Sequence, residues 1–303
     1  MSQIAANGIT LEYDIHGKAS DPAVLLIMGF SGQMVMWPMS FVTGLVELGF
    51  RVIRFDNRDV GLSTHLHDKG VPDIGAAMAA RMSGQTYAGA AYALDDMAAD
   101  AAGLLDALGI AQAHIVGASM GGMIAQLFAA HYPAKTLSLT SIMSTTGKPT
   151  LTQAKPEIMA VLVTPPASDS RADRIAAFLK TFRTIGSPGF PGTEEELTAI
   201  ASSQVDRGPY DPAGIGRQMV AIVTADARNE ILKSVIAPTL VLHGADDPLV
   251  PVDGGKDTAE SIKGAELVIV PGMGHDFTEA LMPQFITHVG GFLSRVRSQA
   301  KAA

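Results

Sequence analysis

A series of short, mostly apolar runs, at residues 24–28, 52–55, 114–116, 137–143, 239–243 and 267–270, constrains this chain more than any other feature. Each is bounded by Gly, Pro or Asp or passes directly into a polar segment. Apolarity at successive positions, not at every second one, buries both faces of a strand, as in parallel strands covered by helices on either side. Between the runs lie stretches with helical spacing, notably Leu94, Met97, Leu104, Leu105 and Leu108, then Met123, Ile124, Leu127 and Phe128, the last ending before Pro133. Residues 9–15 alternate apolar and polar, as a half-exposed strand does. No internal repeat or low-complexity tract interrupts this order, which predicts a mostly parallel, doubly wound α/β sheet.

With 303 residues the chain suits one large domain or a domain carrying an insertion. The strand signal vanishes from Gly147 to about Ser234, where Pro and Gly punctuate helical stretches. Residues 171–185 place Ile175, Phe178, Leu179 and Phe182 on one face, and Thr193 with Glu196 has the spacing of a capping box. The expected organisation is a core of residues 1–146 and 235–303, split by a helical cap, or lid, at 147–234.

Charge and composition remove several functions. The formal net charge is −8 without a long basic run, so nothing is available to neutralise phosphates, and neither nucleic acid nor an acidic membrane surface is expected as a partner. The absence of cysteine excludes disulfides, thiolate nucleophiles and Cys-ligated metals. The longest apolar stretch, residues 23–30, is far short of the ~20 residues needed to cross a bilayer. No basic segment followed by an apolar one opens the chain, so a cytoplasmic location is expected. A homo-oligomer is compatible with all of this.

The sharpest motif is Gly117-Ala118-Ser119-Met120-Gly121-Gly122, between the run at 114–116 and the helical pattern beginning at Met123. It is G-x-S-x-G in the strand–turn–helix setting of a nucleophile elbow, which exposes a serine hydroxyl at a helix N-terminus on the carboxyl edge of the sheet. A serine hydroxyl is a weak nucleophile at neutral pH and needs a histidine base and an orienting acid. Of eight histidines, His275 in Pro271-Gly272-Met273-Gly274-His275-Asp276 follows the last expected strand on a flexible loop at the same edge. His114 and His243 sit within strand patterns and suit packing, and His16, His131 and His288 lack a loop at that edge. The segment His65-Leu66-His67-Asp68 has the look of a metal cluster but lacks further ligands in register, and a solvated loop accounts for it better. For the acid, Asp246 and Asp247 lie just beyond the run at 239–243. Neighbours in extended chain point oppositely, and Asp247 is favoured because Pro248 fixes the turn after it.

Together these segments, G-A-S-M-G-G, H-G-A-D-D-P-L-V-P and P-G-M-G-H, resemble the α/β-hydrolase superfamily, in the order Ser119, Asp247, His275 that the family shows. Residues 54–63 also resemble the loop that follows an early strand in that family. Met28-Gly29-Phe30 with Asp56-Asn57-Arg58-Asp59 is similar to the aclacinomycin methylesterase-like branch and its esterase relatives. Met28-Gly29-Phe30 stands where most of the family has His-Gly-x, the segment supplying one oxyanion donor. The resemblance therefore implies an oxyanion hole made by the backbone N–H groups of Phe30 and Met120. Arg58 reads as a loop brace.

The resulting expectation is a serine hydrolase acting on small or medium apolar carboxylic esters through an acyl-serine, with no metal, nucleotide or organic cofactor. Lactone hydrolysis, carbon–carbon bond hydrolysis and cofactor-free perhydrolysis use the same triad and are the enzymatic rivals. A ligand-binding receptor on the same fold is the non-enzymatic one. By position along the chain, Met34, Met36 and Trp37 beyond Phe30, and Met120 and Met273 beside the catalytic residues, are the expected pocket walls.

Overall fold

The computed structural model of the chain describes residues 1–302. Eight strands, β1 (Ser2–Ala6), β2 (Ile9–His16), β3 (Ala23–Ile27), β4 (Arg51–Phe55), β5 (Ala113–Ala118), β6 (Thr136–Ile142), β7 (Thr239–Gly244) and β8 (Glu266–Val270), form one sheet in the order β1-β2-β4-β3-β5-β6-β7-β8. From β4 to β8 every neighbouring pair is parallel, whereas β2 runs antiparallel to both β1 and β4. Helices α1 (Met39–Glu47), α2 (Ile74–Met82), α3 (Leu94–Ala107) and α4 (Met120–His131) fall between β3 and β6. Between β6 and β7 come α5 (Pro156–Val163), α6 (Arg171–Ile185), α7 (Glu194–Arg207), α8 (Pro212–Thr224) and α9 (Asn229–Leu232). Helix α10 (Val252–Ser261) precedes β8, and α11 (Met282–Phe285) and α12 (Gly291–Ala302) follow it.

The unbroken apolar runs mark the strands because side chains leave a strand alternately to its two faces. In β3, Leu25 and Ile27 pack with Leu104 and Leu105 of α3 and Ile124 and Phe128 of α4. Val24 and Leu26 pack on the opposite face with Phe41 of α1, Phe285 of α11 and Phe292 of α12. Burying one such side chain contributes about 1.5–3 kcal/mol, and both layers draw on the same strand, so neither helical layer can be removed without exposing it.

Two elements go beyond the sequence reading. Asn7 and Gly8, with φ of 48° and 78°, close a two-residue hairpin between β1 and β2, the turn an Asn-Gly pair favours because both positions take positive φ. Helix α2 begins at an Asp73 cap, whose carboxylate accepts the Ala76 N–H at 2.8 Å, in a segment with almost no apolar periodicity. Within 147–234 every regular element is a helix, and α6 spans the expected residues. The capping box at Thr193 is only half made. Thr193 accepts from Glu196 N–H at 3.1 Å, but the Glu196 carboxylate turns away to accept the Glu279 N–H at 2.7 Å.

Buried in β5, His114 bonds to Ser138 through Nδ1 at 2.7 Å. Burial, helped by the Arg297 charge, pulls its pKa down to about 4. The unfolded chain binds that proton near pH 6.5, so His114 contributes full stability above pH 6.5 and loses it as the pH falls toward 4, a span of order 3 kcal/mol. Denaturant titrations of the wild type and His114→Asn at pH 7 and 4.5 are expected to differ in their acid loss by about 2 kcal/mol, the wild type losing more. Equal losses would mean that His114 is protonated in the folded protein.

Candidate active site

Ser119 occupies the junction of β5 and α4 with φ 56° and ψ −121°, a left-handed conformation that costs a non-glycine residue on the order of 1–3 kcal/mol. The flanking glycines make the junction sterically feasible. A Cβ at Gly117 would lie 2.0 Å from the Gly121 carbonyl oxygen, and one at Gly121 would lie 2.0 Å from that of Ile27. The turn is therefore tight enough to lift Oγ above the sheet edge, at the positive end of α4.

His275 lies on the loop after β8, and its Nε2 is 2.9 Å from Ser119 Oγ. Its Nδ1 is 2.7 Å from Asp247 Oδ2. Asp247, on the loop after β7, is held in turn by the N–H groups of Leu249 and Val250, which donate to Oδ1 at 2.9 and 2.8 Å. Pro248 carries the turn between them. Asp246 points elsewhere, exposed, and accepts the Gly272 N–H at 2.8 Å. His243 is buried with its Nε2 3.7 Å from Asp247 Oδ2, the oxygen bonded to His275, and donating to the Val250 carbonyl at 2.8 Å. Burial holds the His243 pKa below the usual imidazole value, so this second histidine is neutral and competes little for the aspartate.

Gly29 lies beside the serine: a Cβ there would come within 3.1 Å of Ser119 Cβ. The segment from Met28 to Met34 is fastened mainly by side chains from distant parts of the chain. Asn57 Nδ2 donates to the Met28 carbonyl at 2.9 Å, Asp56 accepts the Met34 N–H at 2.8 Å, and the Gly29 carbonyl accepts from Gly32 at 3.2 Å. Gln218 of α8 accepts the Ser31 N–H at 2.9 Å, and Gln204 of α7 accepts that of Gln33 at 3.0 Å. Arg217 of α8 forms a buried two-pronged pair with Asp59 at 2.8 and 2.7 Å. The histidine loop is gripped from the same side, with His275 N–H donating to the Ile185 carbonyl at 2.8 Å and Gly274 N–H to Ser187 Oγ at 2.8 Å. Ser187 also bonds the Asp276 carboxylate, whose pKa burial raises. Arg58 braces its loop by a two-pronged bond to buried Asp100.

Above Ser119 opens a cavity of about 1030 Å³, bounded by the core, by α2 and by residues 147–225. Its apolar wall mixes aliphatic and aromatic side chains with several methionines, among them Met36, Met120, Met123, Met143, Met159 and Met219. Met34, Trp37 and Met273, expected as pocket walls, are fully buried and do not reach it. Trp37 and Met273 belong to the core layer beneath the site, where the Trp37 ring lies 4.9 Å from that of Phe277 and 5.8 Å from that of Phe41. Met34 lies at the buried start of a short helical turn, its N–H held by Asp56. Proximity along the chain misled here because that turn carries Met36 toward the cavity and its neighbours away from it.

His65 is not a solvated loop residue. It gathers with His67 and Asp211, not Asp68, with His65 Nδ1 2.7 Å from Asp211 and Nε2 3.2 Å from the Gly61 carbonyl. Asp211 also caps α8 through Gly214 N–H and lies 3.4 Å from the Arg217 guanidinium, so its charge is already balanced. Among the described residues, no helix is long and apolar enough to cross a membrane.

Residues 22–279 match the family described as the alpha/beta hydrolase fold. The chain is 28% identical over 295 residues to rhodomycin D methylesterase of Streptomyces peucetius, covering 90% of this chain and 91% of that one. It is 24% identical over 269 residues to 3-oxoadipate enol-lactonase 2 of Acinetobacter baylyi, covering 88% and 87%. In three dimensions it resembles the enol-lactonase of Burkholderia xenovorans, with a TM-score of 0.71 at 23% identity over 97% of this chain and all of the other.

Proposed function

The chain belongs to the alpha/beta hydrolase fold family and is an ester hydrolase, and on that premise we propose that it cleaves apolar carboxylic esters through an acyl-enzyme on Ser119. The observation that supports this most is the hydrogen-bonded chain from Ser119 through His275 to Asp247, at 2.9 and 2.7 Å. His275 Nε2 takes the Oγ proton as Ser119 attacks the ester carbonyl. Asp247 keeps the proton on Nδ1 and stabilises the imidazolium. The N–H groups of Phe30 and Met120 receive the oxyanion, the latter because the first N–H groups of a helix have no partner within it. Collapse of the tetrahedral intermediate passes the proton from His275 to the departing alkoxide. Water then gives a proton to His275 and attacks the acyl-serine, and as the acyl–Oγ bond breaks His275 returns the proton to Ser119 Oγ and the acid is released.

Residues 147–234 act, in this reading, as a lid that encloses the acid part of the ester. A cavity of about 1030 Å³ lies at the upper end of small-molecule sites, so bulky apolar acids fit as well as small ones. Flexible thioethers suit a wall that must follow varied shapes. The methylesterase name of one relative is consistent with a small alcohol as the group that leaves. Each methylene buried is worth ~0.8 kcal/mol, or about fourfold in kcat/KM. A panel of methyl esters of increasing acid size is expected to climb at about that slope and then fall once the cavity is full. A flat profile from acetate upward would count against an enclosed acyl site.

A further inference from the structure

We infer that Gln218 is a positioning residue of the oxyanion hole, through which α8 sets the geometry of the loop that presents the Phe30 N–H; the inference rests on the assignment of that N–H as an oxyanion donor. The Gln218 carboxamide is fully buried, yet both of its hydrogen bonds reach across to the core. Its oxygen accepts the Ser31 N–H at 2.9 Å, and its Nε2 donates to the Arg58 carbonyl at 2.8 Å. Arg58 is itself fixed by the buried Asp100. The amide thus ties a rigid point of the core to the residue that follows Phe30.

The loop needs such a tie. Ser31 has φ 54°, a conformation that a residue with a Cβ leaves unless something holds it. Met28, at the start of the loop, has no hydrogen-bonding side chain to contribute. A peptide is planar with its C=O and N–H on opposite sides, so turning the Gly29 carbonyl onto Gly32 N–H directs the Phe30 N–H the other way. The next peptide is fixed when Gln218 takes its N–H. Phe30 Cα therefore sits between two peptide planes that cannot rotate independently, one of them held only from α8. Without Gln218 the second plane is free to relax, and the donor drifts from the point where the oxyanion forms. A displacement near 1 Å costs up to about 100-fold in rate.

A residue that merely fills the interface between α8 and the core would affect substrate binding or stability, but not selectively the transition state. The test is Gln218→Met, which keeps the volume and removes both bonds. Four quantities are compared with the wild type: kcat, KM, the rate of fluorophosphonate labelling, and affinity for an alkylboronic acid that forms a tetrahedral adduct on a serine. Expected are a kcat lower by about 10- to 100-fold, a KM within about threefold, and losses of labelling rate and boronate affinity that parallel kcat. Gln218→Asn, whose amide is one methylene too short to make both bonds, carries the same expectation where the Met variant does not fold. A raised KM with unchanged kcat, or a fall in kcat without a matching loss of boronate affinity, would overturn the inference. A wild type that neither hydrolyses esters nor takes phosphonate at Ser119 would instead overturn the assignment of the nucleophile, and the inference with it.

Discussion

Ser119→Ala is expected to lower kcat by about six orders of magnitude while leaving the protein folded, the magnitude being that seen when subtilisin loses its serine. The Oγ atom makes a 2.9 Å bond to His275, and both residues line the cavity, so water there can take the place of the lost hydroxyl at His275 Nε2. Alanine inherits the same backbone strain at φ 56° and gains no contact, so the melting temperature should move little. Intact-mass measurement after fluorophosphonate treatment is expected to show one adduct, mapping to Ser119 in the wild type and absent from the variant. An adduct on another residue, or a variant that retains the wild-type rate, would refute the mechanism.

Replacing Asp247 by Asn is expected to cost about 10⁴ in kcat, as the equivalent change does in a serine protease. The amide matches the carboxylate in shape but presents a donor to Nδ1, which moves the imidazole proton to Nε2 and leaves nothing to accept the serine hydrogen. The two backbone bonds to Asp247 Oδ1, from Leu249 and Val250, can still form, so stability should change little. Asp246→Asn removes only a carboxylate bonded to Gly272 N–H on the surface and should stay within about tenfold of wild type. Measured side by side, the reverse ranking would assign the orienting role to Asp246, and two equally mild losses would place it on neither.

What could be read in advance follows from the range of the interactions involved. The β5–α4 elbow is legible because its glycines are imposed by backbone atoms a few residues away in the chain or in the adjacent strand, so the spacing itself carries the geometry. Asp247 stands out for a similar reason: Pro248 and the two N–H groups that follow it are local. The β1–β2 hairpin carried a short signal, Asn7-Gly8, that the alternating run beginning at residue 9 overshadowed. Helix α2 carried almost none, since Ala77 is its one buried residue. Gln204 and Gln218 were invisible because each acts on a loop more than 170 residues earlier, and nothing around a glutamine in a helix indicates which backbone N–H it will meet. Met34 and Trp37 failed as pocket walls because a single turn of helix decides which neighbours of Met36 face inward.

The sheet order also governs when the chain becomes reactive during its synthesis. Ser119 and its elbow are complete once β3, β5 and α4 have emerged, but the bonded histidine lies 156 residues further on. At typical rates of synthesis that interval is roughly 10–30 s. For most of it, β7 and β8, the strands that precede Asp247 and His275, have yet to be added at one edge of the sheet. A nascent chain therefore carries an unactivated alcohol and cannot trap esters around the ribosome. On the proposed mechanism, hydrolytic power arises only with the last strands, after the helices between β6 and β7 have been made.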